Sequence, residues 1–209
     1  GPTHSQSLEK MFLGVPGLKV VAPNTCGDAG FLLETAIADD YPVLFVEHKL
    51  LYSRPQLEPG KGELTDIQYQ QTGKTYPNYI LGFPNHTPQL TVATYGYNFE
   101  LARAAVIDLL MEHEIFSEIV LFSQLSPFDM EPLFDSLTRT RKLLTVEEGT
   151  LTLGWGAEVA ARAVETISGL QIKRAAALDF PIANARTLED AILPSRESIT
   201  QTALSLVKP

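Results

Sequence analysis

The chain has 209 residues, of which 44% are hydrophobic and 20% are charged, and its formal net charge at pH 7 is -9. A globular protein of this length can bury one large core or two modest ones. The acidic balance repels phosphate backbones, and Lys and Arg are scattered along the sequence, so nucleic acid is excluded as an expected partner.

The sequence also argues against membrane and secreted proteins. No apolar run approaches the roughly 20 residues of a membrane helix, and the first residues lack a basic region followed by an apolar one, so we expect no membrane partner. The single cysteine, Cys26, cannot form an intrachain disulfide and is expected to pack or cap near a helix start. A cytoplasmic location is therefore the expectation.

The first 50 residues predict a short helix followed by one crossover unit. The stretch SQSLEKMFLGV carries apolar residues at helical spacing and predicts a surface helix. Residues 18–23 and 43–46 predict buried strands, and a helix over about 27–38 joins them. Two such strands and their helix form a right-handed parallel crossover unit. The candidate caps of the helix are Asn24 and Thr25.

A long connection without a sustained period occupies residues 51–88. It is rich in Pro, Gly, Gln, Asn and Tyr and is too long for an ordinary loop. We therefore predict a linker that contains an irregular edge strand or hairpin around 79–81. A domain boundary here divides the chain into a first domain at 1–52, a connection at 53–88 and a second domain at 89–209.

Strands and helices alternate strictly in the second domain. Such alternation is typical of a mostly parallel sheet covered by helices on both faces. The predicted strands are 89–96, 117–124, 142–148 and 171–178, and the predicted helices are 98–113, 129–140, 156–167 and 195–209. The fold class is α/β: a partial parallel unit, followed by a complete three-layer αβα domain.

Short motifs alone give no strong catalytic signature. The sequence contains no phosphate-binding P-loop, no Cys/His cluster with zinc spacing and no nucleophile elbow. The run from Gly154 to Gly156 could bring backbone N–H groups to an anion, although a tight turn with close packing is the favoured interpretation. Glu147 and Glu148 are adjacent in a strand and point to opposite faces, so we expect one of them to cap a neighbouring turn rather than form an acid/base pair.

The four histidines differ in their sequence context. His113 ends a helix, where the helix dipole favours a cation, and His86 lies in a polar loop where we expect it to be solvated. His48 follows a strand at the carboxyl edge of the predicted sheet, and a structural or interface role is favoured for it. His4 comes just before a helix start, a position suited to a loop histidine over a site.

Two sets of residues resemble a known family. The run HSQSLEKMFLGVPGLKVVAPNTCGDAGFLLETAIADDYPVLFVEHKLLY resembles the end of the pyrimidine-binding domain in the beta subunit of thiamine-diphosphate-dependent 2-oxoacid dehydrogenases, of the pyruvate and branched-chain type. The motifs TVATYG, LSPFD, LLTVEEG, GWGAEVAARAVE and LEDAILPS resemble the transketolase C-terminal domain of the same subunit. The resemblance covers nearly the entire chain in the right order.

This resemblance implies an enzyme that decarboxylates a 2-oxoacid on thiamine diphosphate and passes the acyl group to a lipoyl arm. His4 matches an active-site histidine of the family that assists proton transfer or stabilises charge. Magnesium, an alpha subunit and a homodimer of beta chains are implied as well. The resemblance also implies a potassium ion in the turn before PVLFVEH, held by backbone carbonyls of Ala36, Ile37 and Asp39, with Tyr41 where Asn or Asp is common.

Departures from the family limit these expectations. The family's cofactor-activating glutamate lies in a segment that would precede His4, so this fragment alone is expected to be inactive and to bind no thiamine diphosphate. Gly169 stands where an acid is common, in a shortened segment that docks the lipoyl-bearing acyltransferase, so that partner is left open.

Two alternatives remain beside the dehydrogenase. One is a non-catalytic module that only holds a dimer, and the other is a fragment of a transketolase-type enzyme, including deoxyxylulose-phosphate synthase. A sugar-phosphate ligand would need basic residues near His4 and His48, where the sequence offers only Lys49. Because a truncated α/β unit exposes apolar surface, we expect a dimer, formed through the C-terminal domain.

Overall fold

The structure is a computed structural model that describes residues 5–58 and 67–208. Within these residues the chain forms two sheets and six α-helices. The strands are β1 (Lys19–Val21), β2 (Val43–Phe45), β3 (Gln68–Thr72), β4 (Asn78–Gly82), β5 (Leu90–Tyr95), β6 (Ser117–Phe122), β7 (Gln124–Ser126), β8 (Lys142–Thr150) and β9 (Gln171–Ala177). The helices are α1 (Ala29–Ile37), α2 (Asn98–His113), α3 (Glu131–Thr140), α4 (Trp155–Thr166), α5 (Arg186–Asp190) and α6 (Arg196–Val207).

The larger sheet has six strands in the order β3-β4-β6-β5-β8-β9. Four neighbouring strands, β6, β5, β8 and β9, are parallel to one another. Val92 of β5 pairs with Ile119 on one side and Leu144 on the other. β4 joins β6 in the antiparallel direction, and β3 and β4 form a hairpin. The mostly parallel sheet and the hairpin within the long connection confirm both predictions.

Helices cover both faces of the larger sheet, as the buried character of its strands requires. Helices α2 and α6 pack on one face, where Phe99 and Ile199 belong to the core. Helices α3 and α4 pack on the other face through Leu133 and Val159. The expected three-layer α/β fold is therefore confirmed, and the edge at which its parallel strands end is the usual place for a functional site.

The smaller sheet has three strands in the order β2-β1-β7. β1 and β2 are parallel, with Val20 opposite Leu44, which confirms the crossover unit. β7 runs antiparallel to β1 and comes from the segment after β6, so the second half of the chain supplies a strand to the first. The predicted strand 117–124 covered β6 and only the first residue of β7, because a local pattern does not indicate which sheet a short strand joins.

Several predicted boundaries were wrong. α1 begins at Ala29 and is capped by Asp28, whose Oδ1 accepts hydrogen bonds from two backbone amides of the first turn. Asn24 instead accepts from the amides of Cys26 and Gly27, in a turn before the helix. The predicted surface helix is a single 3-10 turn, Glu9–Met11, and the sequence did not predict α5. No helix within the described ranges is long and apolar enough to cross a membrane.

Candidate functional site

Residues 5–11, which we call the N-terminal strap, lie along the carboxyl edge of the larger sheet. Ser7 Oγ donates to Glu148 Oε1 over 2.9 Å, and Lys10 Nζ donates to the Thr152 carbonyl at 2.9 Å. Gln6 Oε1 accepts from the amide of Ile182 at 3.3 Å. His4, the predicted catalytic residue, precedes the strap and lies outside the described residues, so its role stays a prediction.

Glu148 joins three parts of the molecule at this edge. Its Oε1 binds the strap through Ser7, and its Oε2 lies 3.1 Å from His48 Nε2. The Leu50 amide donates to His48 Nδ1, so the proton of a neutral His48 ring is on Nε2 and points to Glu148. The ring also stacks on Tyr97, with centroids 4.6 Å apart. His48 therefore connects the two halves of the chain, which is the structural or interface role favoured for it from the sequence.

Glu147 points away from Glu148 and lies at the start of α4. Its side chain accepts hydrogen bonds from the amides of Trp155 and Gly156, each at 2.8 Å, and the residue is 1% exposed. The helix N-terminus favours such an anion. Burial nevertheless raises the pKa of Glu147 to about 7, against the lowering effect of these two amides. The expected capping role of this glutamate pair is confirmed, and the anion bound by the Gly154–Gly156 run is the chain's own carboxylate.

Glu9 of the strap is the second buried carboxylate and is 6% exposed. The hydroxyl of Tyr95, at the end of β5, donates to Glu9 Oε1 at 2.5 Å. A methyl group on Gly149 would lie 3.1 Å from Glu147 Oε2 and 3.7 Å from Glu9 Oε1, so the two carboxylates border the same small space. Burial raises the pKa of Glu9 as well.

Sequence reasoning did not find Glu9. The strap's periodic apolar residues suggested that they would face the protein, but Met11 is 69% exposed while Glu9 is buried. Glu9 and Glu147 are far apart in the sequence, and no spacing rule connects them. The available signal was a charged residue next to an apolar stripe, which is ordinary for a surface helix.

The predicted potassium turn is organised by an ion pair. Both oxygens of Asp39 accept from Lys19 Nζ, at 2.8 and 2.6 Å, and Tyr76 donates its hydroxyl at 2.8 Å. The hydrogen bond from Lys19 is the main cause that lowers the pKa of Asp39 to about 2. With this carboxylate already bonded, a cation here would depend on backbone carbonyls of Ala36, Ile37 and Asp39, and the potassium site stays a prediction.

A cleft of about 300 Å³ opens at the carboxyl ends of β1 and β2. Its polar lining is largely bonded to the protein itself: Asp28 caps α1, Glu47 accepts from the Tyr52 hydroxyl at 3.0 Å, and His48 holds Glu148. The described residues contain no group of three or more His, Cys, Asp or Glu side chains that could hold a metal ion.

The fold and this edge define a three-layer α/β domain that is packed against an α/β crossover unit. Residues 84–199 match the family model of the transketolase C-terminal domain. The chain belongs to the transketolase C-terminal domain family.

Curated relatives match nearly the whole chain. The pyruvate dehydrogenase E1 component subunit beta of Dictyostelium discoideum mitochondria is 32% identical over 207 residues, which are 97% of this chain and 56% of that protein. The acetoin:2,6-dichlorophenolindophenol oxidoreductase subunit beta of Cupriavidus necator is 31% identical over 208 residues, 98% of this chain and 58% of that protein. The chain thus spans a little over half the length of these relatives, and its resemblance to the C-terminal portion of such beta subunits is confirmed.

A solved structure supports the fold. A split gene transketolase, described as an inactive beta4 tetramer, superposes with a TM-score of 0.65 and 19% sequence identity. The superposition covers 95% of this chain and 62% of that chain. It therefore includes the crossover unit as well as the six-stranded domain.

Proposed function

We propose that this chain works as the C-terminal portion of a beta subunit in a thiamine-diphosphate-dependent 2-oxoacid dehydrogenase. The parent enzyme would decarboxylate a 2-oxoacid and transfer the acyl group to a lipoyl arm. The observation that carries this proposal is the similarity to beta subunits of pyruvate dehydrogenase over almost the entire chain, in unbroken order. Thiamine diphosphate supplies the carbanion chemistry when it is bound.

The chain's own contribution would be His4. It precedes Ser7 by three positions in the sequence, and the Ser7 hydroxyl is bonded to Glu148. A histidine with an ordinary pKa can donate or accept a proton near neutral pH. This chemistry, and the family's histidine that His4 matches, support proton transfer to or from the bound substrate.

Other partners complete the proposal. The alpha subunit would hold the diphosphate and magnesium, and Ala36, Ile37 and Asp39 would hold potassium. A homodimer in the cytoplasm, and the division into domains at 1–52 and 89–209 joined by 53–88, belong to the same proposal. Exposed apolar side chains on α1, Phe31 and Ile37 among them, support association of the chain with another surface.

The test uses the full-length protein that contains this chain, mixed with its alpha subunit, thiamine diphosphate and magnesium. We expect decarboxylation of pyruvate or a branched-chain 2-oxoacid, and a loss of acyl transfer of about 100-fold in His4→Ala. His86→Ala is the matched control, since His86 stacks on Phe116 away from the strap. Absence of turnover with every 2-oxoacid would overturn the proposal and favour the non-catalytic assembly module.

A second candidate substrate is acetoin. The beta subunits of acetoin:2,6-dichlorophenolindophenol oxidoreductases from Cupriavidus necator and Bacillus subtilis are both 31% identical to the chain over 208 and 207 residues. This is nearly the identity of the pyruvate dehydrogenase relatives, so the family does not select between a 2-oxoacid and a hydroxyketone. The same assay with acetoin and a dye acceptor decides: reduction of the dye with acetoin alone would replace the first candidate.

A further inference from the structure

The contact between the strap and the larger sheet contains two buried carboxylates and little positive charge. Glu9 Oε1 accepts from the Tyr95 hydroxyl, and Glu147 accepts from the amides of Trp155 and Gly156. Both carboxylates border the space beside Gly149. The carboxylates of two buried acids therefore face one small volume.

The cations near this volume are bonded elsewhere. Among the described residues, Lys10 Nζ donates to Thr150 and Thr152, and Arg174 donates to the Leu151 carbonyl at 2.8 Å. His48 binds Glu148, which adds a further negative charge on the neighbouring position of β8. No Lys, Arg or His of the described ranges forms an ion pair with Glu9 or Glu147. Two full charges here would repel one another without a counterion in contact.

We propose that Glu9 and Glu147 are not both ionised while the strap is docked, and that the proton carried by one of them latches the N-terminal strap onto the C-terminal domain. A neutral carboxyl beside a carboxylate removes the repulsion, as in other close pairs of acids. Burial of both groups acts in the same direction, because it penalises the charged forms.

Loss of the proton moves the strap rather than the helix. Glu147 is held by two backbone amides of α4 and by the strand in which it lies. Glu9 lies in a 3-10 turn of three residues, and its neighbours Leu8 and Met11 are exposed. The strap has fewer buried contacts and is the part that opens at low cost. This latch does not depend on the proposed enzymatic function.

Cleavage of the peptide bond after Lys10 measures how often the strap leaves the sheet. Lys10 is held by Thr150 and Thr152, so a lysine-specific protease reaches the Lys10–Met11 bond only when the strap has left the sheet. Cleavage is measured from pH 6 to pH 9 on the folded chain and divided by the rate for a free peptide of residues 5–15, which removes the pH dependence of the protease. We expect the normalised rate to rise at least ten-fold with pH.

Two variants test whether the carboxylates are responsible. Glu9→Gln permanently removes one of the two charges, so cleavage should stay slow at all pH values. Should Glu9→Gln fail to fold, Glu147→Gln replaces it, and its cleavage should also stay slow at all pH values. Glu165→Gln, which removes an exposed charge from α4, should keep the pH dependence of the unmodified chain.

Three results would overturn the latch. The first is a normalised cleavage rate that does not change with pH in the unmodified chain. The second is a Glu9→Gln variant that keeps the full pH dependence. The third is cleavage after Lys173 at the same pH, or a matching loss of the far-UV circular dichroism of the helices, since either would mean unfolding of the domain rather than release of the strap.

Discussion

The two sheets of this chain differ in how completely their strands are covered. β5 lies between two helical layers, and all six of its residues are buried. β2, at the edge of the smaller sheet, is also apolar, yet all three of its residues are only partly buried. An apolar strand therefore indicates what can be buried, and the layers that pack on it decide how much burial is achieved.

The smaller sheet also depends on the larger domain for its third strand. β7 completes it from the segment that follows β6, and the Ala22 amide donates to the Ser123 carbonyl at 2.8 Å. On the other side of the unit, large apolar side chains of α1 are exposed, up to 78% for Ile37. We therefore expect substitutions in the larger domain to lower global stability, and those in the crossover unit to act locally.

The largest effect is expected from Gly156→Ala. A methyl group at Gly156 would lie 2.9 Å from Glu147 Oε1 and closer still to Thr145 Oγ1, both buried in the larger domain. Such overpacking should lower the free energy of unfolding by about 3 kcal/mol, measured by urea denaturation. Gly82→Ala is the control, since its methyl group would make an ordinary 3.5 Å contact with Glu118. Equal losses in both variants would contradict the close packing around Glu147.

The same substitution in the two sheets compares their burial directly. Val92→Ala in β5 removes two methyl groups from a fully buried site and should cost about 2 kcal/mol of unfolding free energy. Val43→Ala in β2 removes them from a partly exposed site and should cost less than half of that. Urea titrations of the two variants provide the measurement. A larger loss for Val43 would mean that another surface covers β2 in solution.

Stability should fall as the pH rises from about 4.5 to 7. The pKa of Glu147 is raised by burial to about 7, so the folded state binds a proton more tightly than the unfolded state across this window. The expected loss is on the order of 1 to 2 kcal/mol. Below this window stability falls again, because the pKa of Asp39 is lowered to about 2 by Lys19.

The variant that checks this pH dependence is Glu147→Gln. It should flatten the decline in unfolding free energy between pH 5 and pH 7, measured by urea titration at constant ionic strength. Glu165→Gln serves as its control. A stability that rises with pH through this window in the unmodified chain would show that Glu147 is ionised without cost.

The smallest effects concern the helix caps of the two regions. Ser195 caps α6 by accepting from the amide of Ser198, and Asp28 caps α1. Each Ala substitution should cost about 1 kcal/mol. Ser195→Ala should lower amide protection throughout the larger domain, whereas Asp28→Ala should lower it only in α1, as measured by hydrogen exchange. Global loss in both variants would mean that the two regions unfold as one unit.

Much of the fold was predictable because its signals are local. The 3.6-residue period and the final His113 predicted α2 at the residues where it forms, and Ser195 predicted the start of α6. The place of β7 in the smaller sheet was not predictable, since a strand of three residues is too short for its pattern to indicate which sheet it joins. Of the site, a capping role was predicted for one of Glu147 and Glu148, while the buried Glu9 was not predicted at all.

The sequence by itself determined the alternation of strands and helices, the α/β class and the family resemblance that directs attention to His4. These follow from residue order and from periods of two and 3.6, which act over a few residues. Only the tertiary structure decided that the strap turns its apolar residues outward and that Glu9 and Glu147 come to border one small space beside Gly149. That meeting depends on where a sheet edge brings distant segments together, and burial there changes the chemistry of both carboxylates.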